Sequence, residues 1–135
     1  MTNAQTLRED LDRAIDAIEG GYEFLLAYAA QGRRTDRDGP GGQGPRAKLE
    51  AMSEALGRLP ALAKALTESS HAEAASGFGA FFEVLDRDAA VSIAAIRLVL
   101  SMPDISSQLV DNLNASIHLR AVLTDIFLLD EAFKS

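Results

Sequence analysis

The chain has 135 residues, a net charge of −7 at pH 7 and no cysteine, which suits one domain with a sizeable core and excludes disulfides and thiolate metal sites. The acidic balance repels phosphate backbones and disfavours a nucleic-acid binder, and no apolar run reaches the ~20 residues of a membrane span. The polar, acidic N-terminus does not resemble a signal peptide, so we expect a single cytoplasmic domain over residues 1–135 without membrane contact.

The first predicted helix covers residues 5–31. Apolar residues recur along it at spacings of three and four, as on one face of an amphipathic helix. Thr6 and Glu9 have the spacing of a capping box, in which each side chain bonds the backbone N–H of the other residue. Gly32 suits a C-terminal stop, because glycine readily adopts the left-handed conformation that ends many helices.

A loop is predicted over residues 32–44, within the net-positive stretch GRRTDRDGPGGQGPR (residues 32–46). The stretch lacks the Lys-Ser/Thr ending of a phosphate-binding loop and is longer than neighbouring helices need. Two interpretations follow: a passive tether, or an arm whose arginines dock on an acidic surface of this protein or of a partner. The candidate docking residues are Arg33, Arg34, Arg37 and Arg46.

The second predicted helix covers residues 45–68 and begins with Pro45, where a missing N–H costs nothing. Its apolar seam alternates spacings of three and four. Pro60 cannot donate a hydrogen bond to the carbonyl of Leu56. We therefore expect a kink or short break near residues 57–60.

The third predicted helix covers residues 70–101, and a second capping box, Ser70 with Glu73, marks its start. From Ala89 onward almost every position is apolar or small, so this helix offers apolar surface on more than one side. Arg97 interrupts that run, and we expect its side chain to extend to solvent or to a subunit interface.

The fourth predicted helix covers residues 104–133. His118 shares a helical stripe with Asp111, Asn114 and Asp125, since their offsets are −7, −4 and +7. Such a stripe could transfer protons or bind a metal, but a solvated helix face explains it more simply. No helix carries the paired Glu-x-x-His motifs of a di-iron bundle, so we predict no metal site.

Two pairs of glycines interrupt the predicted helices at a cost of about 1 kcal/mol for each glycine relative to alanine. A close helix crossing would offset that cost, and so would a ligand that approaches the backbone. Together with neighbouring aromatic residues, the glycines could line a small apolar pocket. The candidate pocket residues are Gly20, Gly21, Tyr22, Phe24, Gly77, Phe78, Gly79, Phe81 and Phe82.

Four long helices, two short connections and one long loop predict an all-α fold, specifically an antiparallel four-helix bundle. We expect a non-enzymatic protein that acts through protein–protein contact, as a homodimer formed by the third or fourth helix. The alternative is a helical bundle that binds a small molecule or cofactor in the glycine–aromatic pocket. An enzyme that uses His118 and nearby acids is a third hypothesis, but no catalytic set and no particular cofactor are predicted.

Overall fold

The computed structural model describes residues 3–37, 44–70 and 75–134, and within these ranges all regular secondary structure is helical. Its five helices are α1 (Ala4–Ala29), α2 (Pro45–Ser70), α3 (Ala75–Leu100), α4 (Ser107–Ala115) and α5 (His118–Lys134). The prediction of an all-α fold is therefore confirmed. None of the described helices is both long and apolar enough to cross a membrane.

The start of α1 differs from the predicted capping box of Thr6 and Glu9. Asn3 is the N-cap, and its Oδ1 atom accepts a hydrogen bond from the backbone N–H of Thr6 at 2.8 Å. Asparagine ranks above threonine as an N-cap, which explains why the capping residue lies three positions before Thr6. At the other end the helix stops at Ala29, and Gly32 has a φ of +66°, as its predicted role requires. The second predicted capping box, Ser70 with Glu73, reaches outside the described residues.

Helix α2 runs from Pro45 to Ser70 without interruption, so a break near residues 57–60 is wrong, whereas a kink at Pro60 stays a prediction. Pro60 removes one helical hydrogen bond, but the residues around it hold the helix in place. Leu56, Leu59 and Ala63 are all fully buried on one face of α2. Tertiary packing of this kind supplies most helix stability in proteins and here outweighs the local cost of proline.

The core lies where α1, α2 and α3 pack side by side, with α4 against α1 and α5 against α3. The crossing of α1 and α2 is close at Gly21. A Cβ atom there would lie 2.4 Å from both Cγ and Sδ of Met52, a separation that real atoms do not tolerate. Gly21 therefore leaves room for the side chain of Met52 between α1 and α2. A close approach of the helices was one of the two explanations predicted for the glycines in this helix, and this packing is consistent with it.

The predicted fourth helix, residues 104–133, is two helices in the structure. α4 ends at Ala115, and Ile117 has a φ of +69°, a left-handed conformation that is rare for a β-branched residue. Hydrogen bonds stabilise the turn: the N–H and Oγ of Ser116 donate to the carbonyl of Leu113. The prediction was wrong because neither glycine nor proline marks this break.

Arg46, in the first turn of α2, links the start of this helix and Asp36 to the C-terminal end of α3. Its guanidinium donates to the carbonyl oxygens of Leu100 at 2.9 Å and Met102 at 3.1 Å, and it pairs with Asp36 at 3.2 Å. The other carboxylate oxygen of Asp36 accepts the backbone N–H of Ile105 at 2.9 Å. Arg46 thus satisfies carbonyls at the C-terminus of α3, where a cation is favourable.

Two more of the candidate docking arginines contact the connection between α3 and α4. The backbone N–H of Arg33 donates to Oγ of Ser107, and the N–H of Ser107 donates to the carbonyl of Arg33, both at 2.8 Å. Arg37 donates to the carbonyl of Pro103 at 2.6 Å. Arg34 is exposed and makes no such contact in the described part of the chain. Within this chain, residues 33, 35, 36, 37 and 46 thus contact residues 100–107, and Arg33 does so through its backbone. Docking of the four arginines on a partner stays a prediction.

Replacing Arg46 with glutamine is expected to lower the free energy of unfolding by about 1–2 kcal/mol, because hydrogen bonds from a charged donor are lost at a half-buried site. Urea unfolding followed by far-UV circular dichroism measures this loss. Arg34→Gln is the matched control and should change stability by about 0.5 kcal/mol or less. Equal effects of the two substitutions would contradict a structural role for Arg46.

Candidate protein–protein interface

Helix α3 carries a row of exposed aliphatic residues along one side. Val84, Val91 and Leu98 recur at every seventh position and are 37%, 38% and 63% exposed. Positions seven apart lie on the same side of an α-helix with only a small drift. These three residues form a row about 21 Å long, which we call the α3 stripe.

The α3 stripe is distinct from the side of α3 that faces the core. Phe82, Leu85, Ala89, Ile96 and Val99 are buried there. The helix thus has apolar residues on two sides, as the sequence predicted, and among the residues that the structure describes only the core side is buried. Soluble proteins commonly expose single apolar residues, but a repeated row on one helix is typical of helix pairing.

Charged residues lie at the edges of the α3 stripe. Glu83 and Arg97 directly precede Val84 and Leu98, so they share one edge, and both are exposed. The exposure of Arg97 agrees with the prediction that its side chain extends away from the core. Neither residue forms an ion pair with any residue that the structure describes. Asp88 lies on the opposite edge and is half-buried.

Beside the stripe, α3 and α5 enclose an open apolar groove of about 370 Å³. Gly77, Phe78 and Phe81 of α3 line it together with Leu128 of α5, which is 59% exposed. The ring of Phe78 also stacks on Phe133, with centroids 5.8 Å apart. The groove extends the apolar surface from α3 towards α5.

The structure separates the residues of the predicted glycine–aromatic pocket. Gly21 faces Met52 inside the core, whereas Gly20 is exposed and has open space around it. Tyr22 lines a different groove of about 330 Å³, which includes Glu19 and Arg120. Gly77, Phe78 and Phe81 line one groove, and the buried Phe82 stacks on Phe78 with ring centroids 6.1 Å apart. Gly79 is exposed without lining that groove, and Phe24 stacks on Tyr28 within α1.

The predicted stripe of His118, Asp111, Asn114 and Asp125 is not a solvated face. The break between α4 and α5 changes its register, and Asn114 and Asp125 are both only 8% exposed. The side-chain amide of Asn114 donates to the carbonyl of Leu25 at 3.2 Å. Asp111 is exposed and His118 is half-buried, so the four residues do not form one site.

Asp125 is instead paired with Asp88 of α3. Burial, a hydrogen bond with Asp88 and the charge of Asp88 raise the pKa of Asp125 to about 7. Two carboxyl groups in close contact retain a proton, since both cannot be charged at low cost. Residues 3–37, 44–70 and 75–134 contain no group of three or more His, Asp or Glu side chains suited to a metal ion.

Comparison of the chain with protein-family models, with curated proteins and with solved structures gives no match. The residues themselves therefore provide the basis for a function. In the described part of the chain the α3 stripe is a row of exposed apolar residues on one helix, whereas Leu26, Ile117 and Phe127 are exposed apolar residues on other elements.

Proposed function

We propose that this chain is a non-enzymatic helical-bundle protein that acts through protein–protein contact and forms a homodimer through the α3 stripe. In the proposed antiparallel bundle, α4 and α5 together take the place of a fourth helix. The observation that carries the proposal is the exposure of Val84, Val91 and Leu98 in one row. A cytoplasmic location remains a prediction, and no nucleic-acid or membrane partner is proposed.

The energetics favour covering this surface. Burial of apolar area contributes roughly 25 cal/mol per Å², and a specific interface usually buries about 800 Å² on each partner. Exposed apolar area is available on the stripe and, at the N-terminal part of α3, in the groove that includes the exposed Leu128. A second copy of the chain carries the same region, so one contact would cover both.

Replacing Leu98 with aspartate is expected to convert a dimer into a monomer without loss of helicity. Leu98 is largely exposed in the monomer, so the carboxylate is solvated there, but it would be buried in the interface. Size-exclusion chromatography with light scattering should give twice 14.4 kDa for the wild type and 14.4 kDa for the variant. Far-UV circular dichroism checks the fold.

Leu26→Asp is the matched control, because Leu26 is 48% exposed but lies on α1, away from the stripe. This variant should remain dimeric. A monomeric wild type at high micromolar concentration would rule out the homodimer. Dissociation by both substitutions alike would show that the stripe is not the interface.

A second candidate function is the binding of a small apolar molecule in the groove between α3 and α5. The observation that favours it is that Gly77, Phe78 and Phe81, which the sequence suggested as pocket residues, do line one groove. Native mass spectrometry and an absorption spectrum of the purified protein test this function. An added mass that disappears in a Phe81→Asp variant would support it, whereas a mass equal to that of the chain would argue against it.

A further inference from the structure

We propose that the two copies pair antiparallel along their α3 stripes, with the two-fold axis beside Val91 and with Glu83 of each copy facing Arg97 of the partner subunit. This inference rests on the proposed homodimer and specifies its orientation and register. It follows from the spacing of the apolar residues and from the placement of the charges on α3.

The apolar residues are symmetric about Val91. Val84 and Leu98 each lie seven residues from it, one in each direction along the helix. An antiparallel pair centred there places Val84 beside Leu98 of the partner subunit and Val91 beside its own copy. The three layers formed by Val84, Val91 and Leu98 are then aliphatic, while the exposed Arg87 lies between the first two on the same side of α3. Alanines at 80, 90 and 94 leave the helix backbones free to approach closely.

The charges distinguish the antiparallel from the parallel orientation. In the antiparallel pair the two-fold axis is perpendicular to the helices. One edge of a stripe then lies against the same edge of the partner's stripe, and the two chains run in opposite directions along it. Glu83 and Arg97 share one edge and are exposed, so each acid meets a base, and this happens twice in the dimer. Charged residues that flank an apolar helical seam set partner orientation in this way.

Parallel pairing would create the opposite electrostatics. In a parallel pair the two-fold axis runs along the helices, so the Glu83 edge of one stripe lies against the Asp88 edge of the other. Glu83 would then approach Asp88 of the partner subunit, because contacts between these edges join positions five residues apart. Two acids would then face each other on both sides of the axis. Asp88 already lies beside Asp125 within its own chain, which makes a third nearby carboxyl group costly.

Cysteine cross-linking tests this register directly, because the chain has no cysteine of its own. A disulfide requires Cα atoms about 4.4–6.8 Å apart. In the proposed dimer the two copies of residue 91 lie next to each other, whereas the two copies of residue 84 are separated by about 21 Å along the helix axes. Val91→Cys and Val84→Cys are therefore matched variants with opposite expected results.

The full-length single-cysteine variants are oxidised under mild conditions and analysed on non-reducing gels. Val91→Cys should cross-link to near completion, and Val84→Cys should cross-link at least about tenfold less. A mixture of Val84→Cys with a size-tagged Leu98→Cys chain should form a mixed disulfide. Light scattering before oxidation confirms that each variant is a folded dimer.

Charge exchange provides an independent measurement. Glu83→Arg and Arg97→Glu should each raise the dimer dissociation constant about fivefold at low salt, and the double variant should recover most of the loss. Sedimentation at two salt concentrations measures these constants, and the effects should shrink as salt screens the exposed pairs.

The possible failures are distinguishable. A wild type that stays monomeric overturns both the homodimer and its geometry. A dimer that Leu98→Asp dissociates, but in which Val84→Cys cross-links as efficiently as Val91→Cys, overturns the antiparallel register and leaves the homodimer intact. A dimer in which neither cysteine cross-links and charge exchange has no effect also overturns the register.

Discussion

Replacing Ile96 with aspartate is expected to unfold the protein, with a loss of well above 3 kcal/mol in the free energy of unfolding. Ile96 is fully buried on the core side of α3, where a carboxylate would lose its water without gaining a partner. Domains of this kind are stable by roughly 5–15 kcal/mol, so one such change removes a large share. Thermal melts followed by circular dichroism measure the effect.

Two controls accompany Ile96→Asp. Leu98→Asp introduces the same side chain two residues away at an exposed position and should retain the helical signal. His118→Ala should cost about 0.5 kcal/mol or less, because the carbonyl of His118, rather than its ring, accepts the hydrogen bond from Ser92. A stable Ile96→Asp variant would contradict the position of the core, and a large loss for His118→Ala would reveal an unassigned role for the ring.

Replacing Asp125 with asparagine is expected to stabilise the protein at pH 8 by about 2–4 kcal/mol and to leave it much less affected at pH 5. The pKa of Asp125 is raised to about 7 by burial and by Asp88, against about 3.9 in an unfolded chain. Between these values the folded protein keeps a proton that the unfolded chain releases. Stability from this group is therefore complete below pH 4 and is lost as pH rises to about 7.

Urea unfolding at pH 5 and pH 8, at one protein concentration, tests this pH dependence. The difference in the free energy of unfolding between wild type and variant reports on Asp125 alone, because other carboxyl groups, such as Asp36, contribute equally to both proteins. For Asp36 burial opposes ionisation, but hydrogen bonds from Ile105 and Arg46 bring its pKa below the usual value. Asp111→Asn is the matched control, since Asp111 is exposed on α4. A stability difference between wild type and Asp125→Asn that is the same at pH 5 and pH 8 would contradict a raised pKa of Asp125.

The helices were largely predictable because apolar residues at spacings of three and four dominate the chain. The errors fall where a local signal competes with tertiary packing. Pro60 suggested a break that the burial of Leu56 and Ala63 overrides. Ile117 gave no signal for the break between α4 and α5, because a left-handed isoleucine is stabilised by its surroundings and not by its own preference.

The candidate interface was predictable in outline, since the apolar run from Ala89 onward exceeds what one buried face needs. Its exposed residues could be identified only when the structure showed which side of α3 the core covers. The burial of Asp125 was not predicted. The sequence did indicate it, because Asp125 lies three residues after Val122 and four before Leu129, which is the spacing of core positions on a helix. The partners of Arg46 could not be predicted from the sequence, because two of them are the backbone carbonyls of Leu100 and Met102. Every residue has a backbone carbonyl, so the residue type does not indicate which one is bound.

The docking of residues 33–37 on the connection between α3 and α4 also constrains the order of folding. The hydrogen bonds that join these segments link residues 66 to 74 positions apart, with α2 and α3 in between. Closing so long a stretch of chain costs entropy that only prior packing of both helices can offset. The segment should therefore become ordered late, and the amide protons of Ile105 and Ser107 should exchange with solvent when this end of the molecule opens.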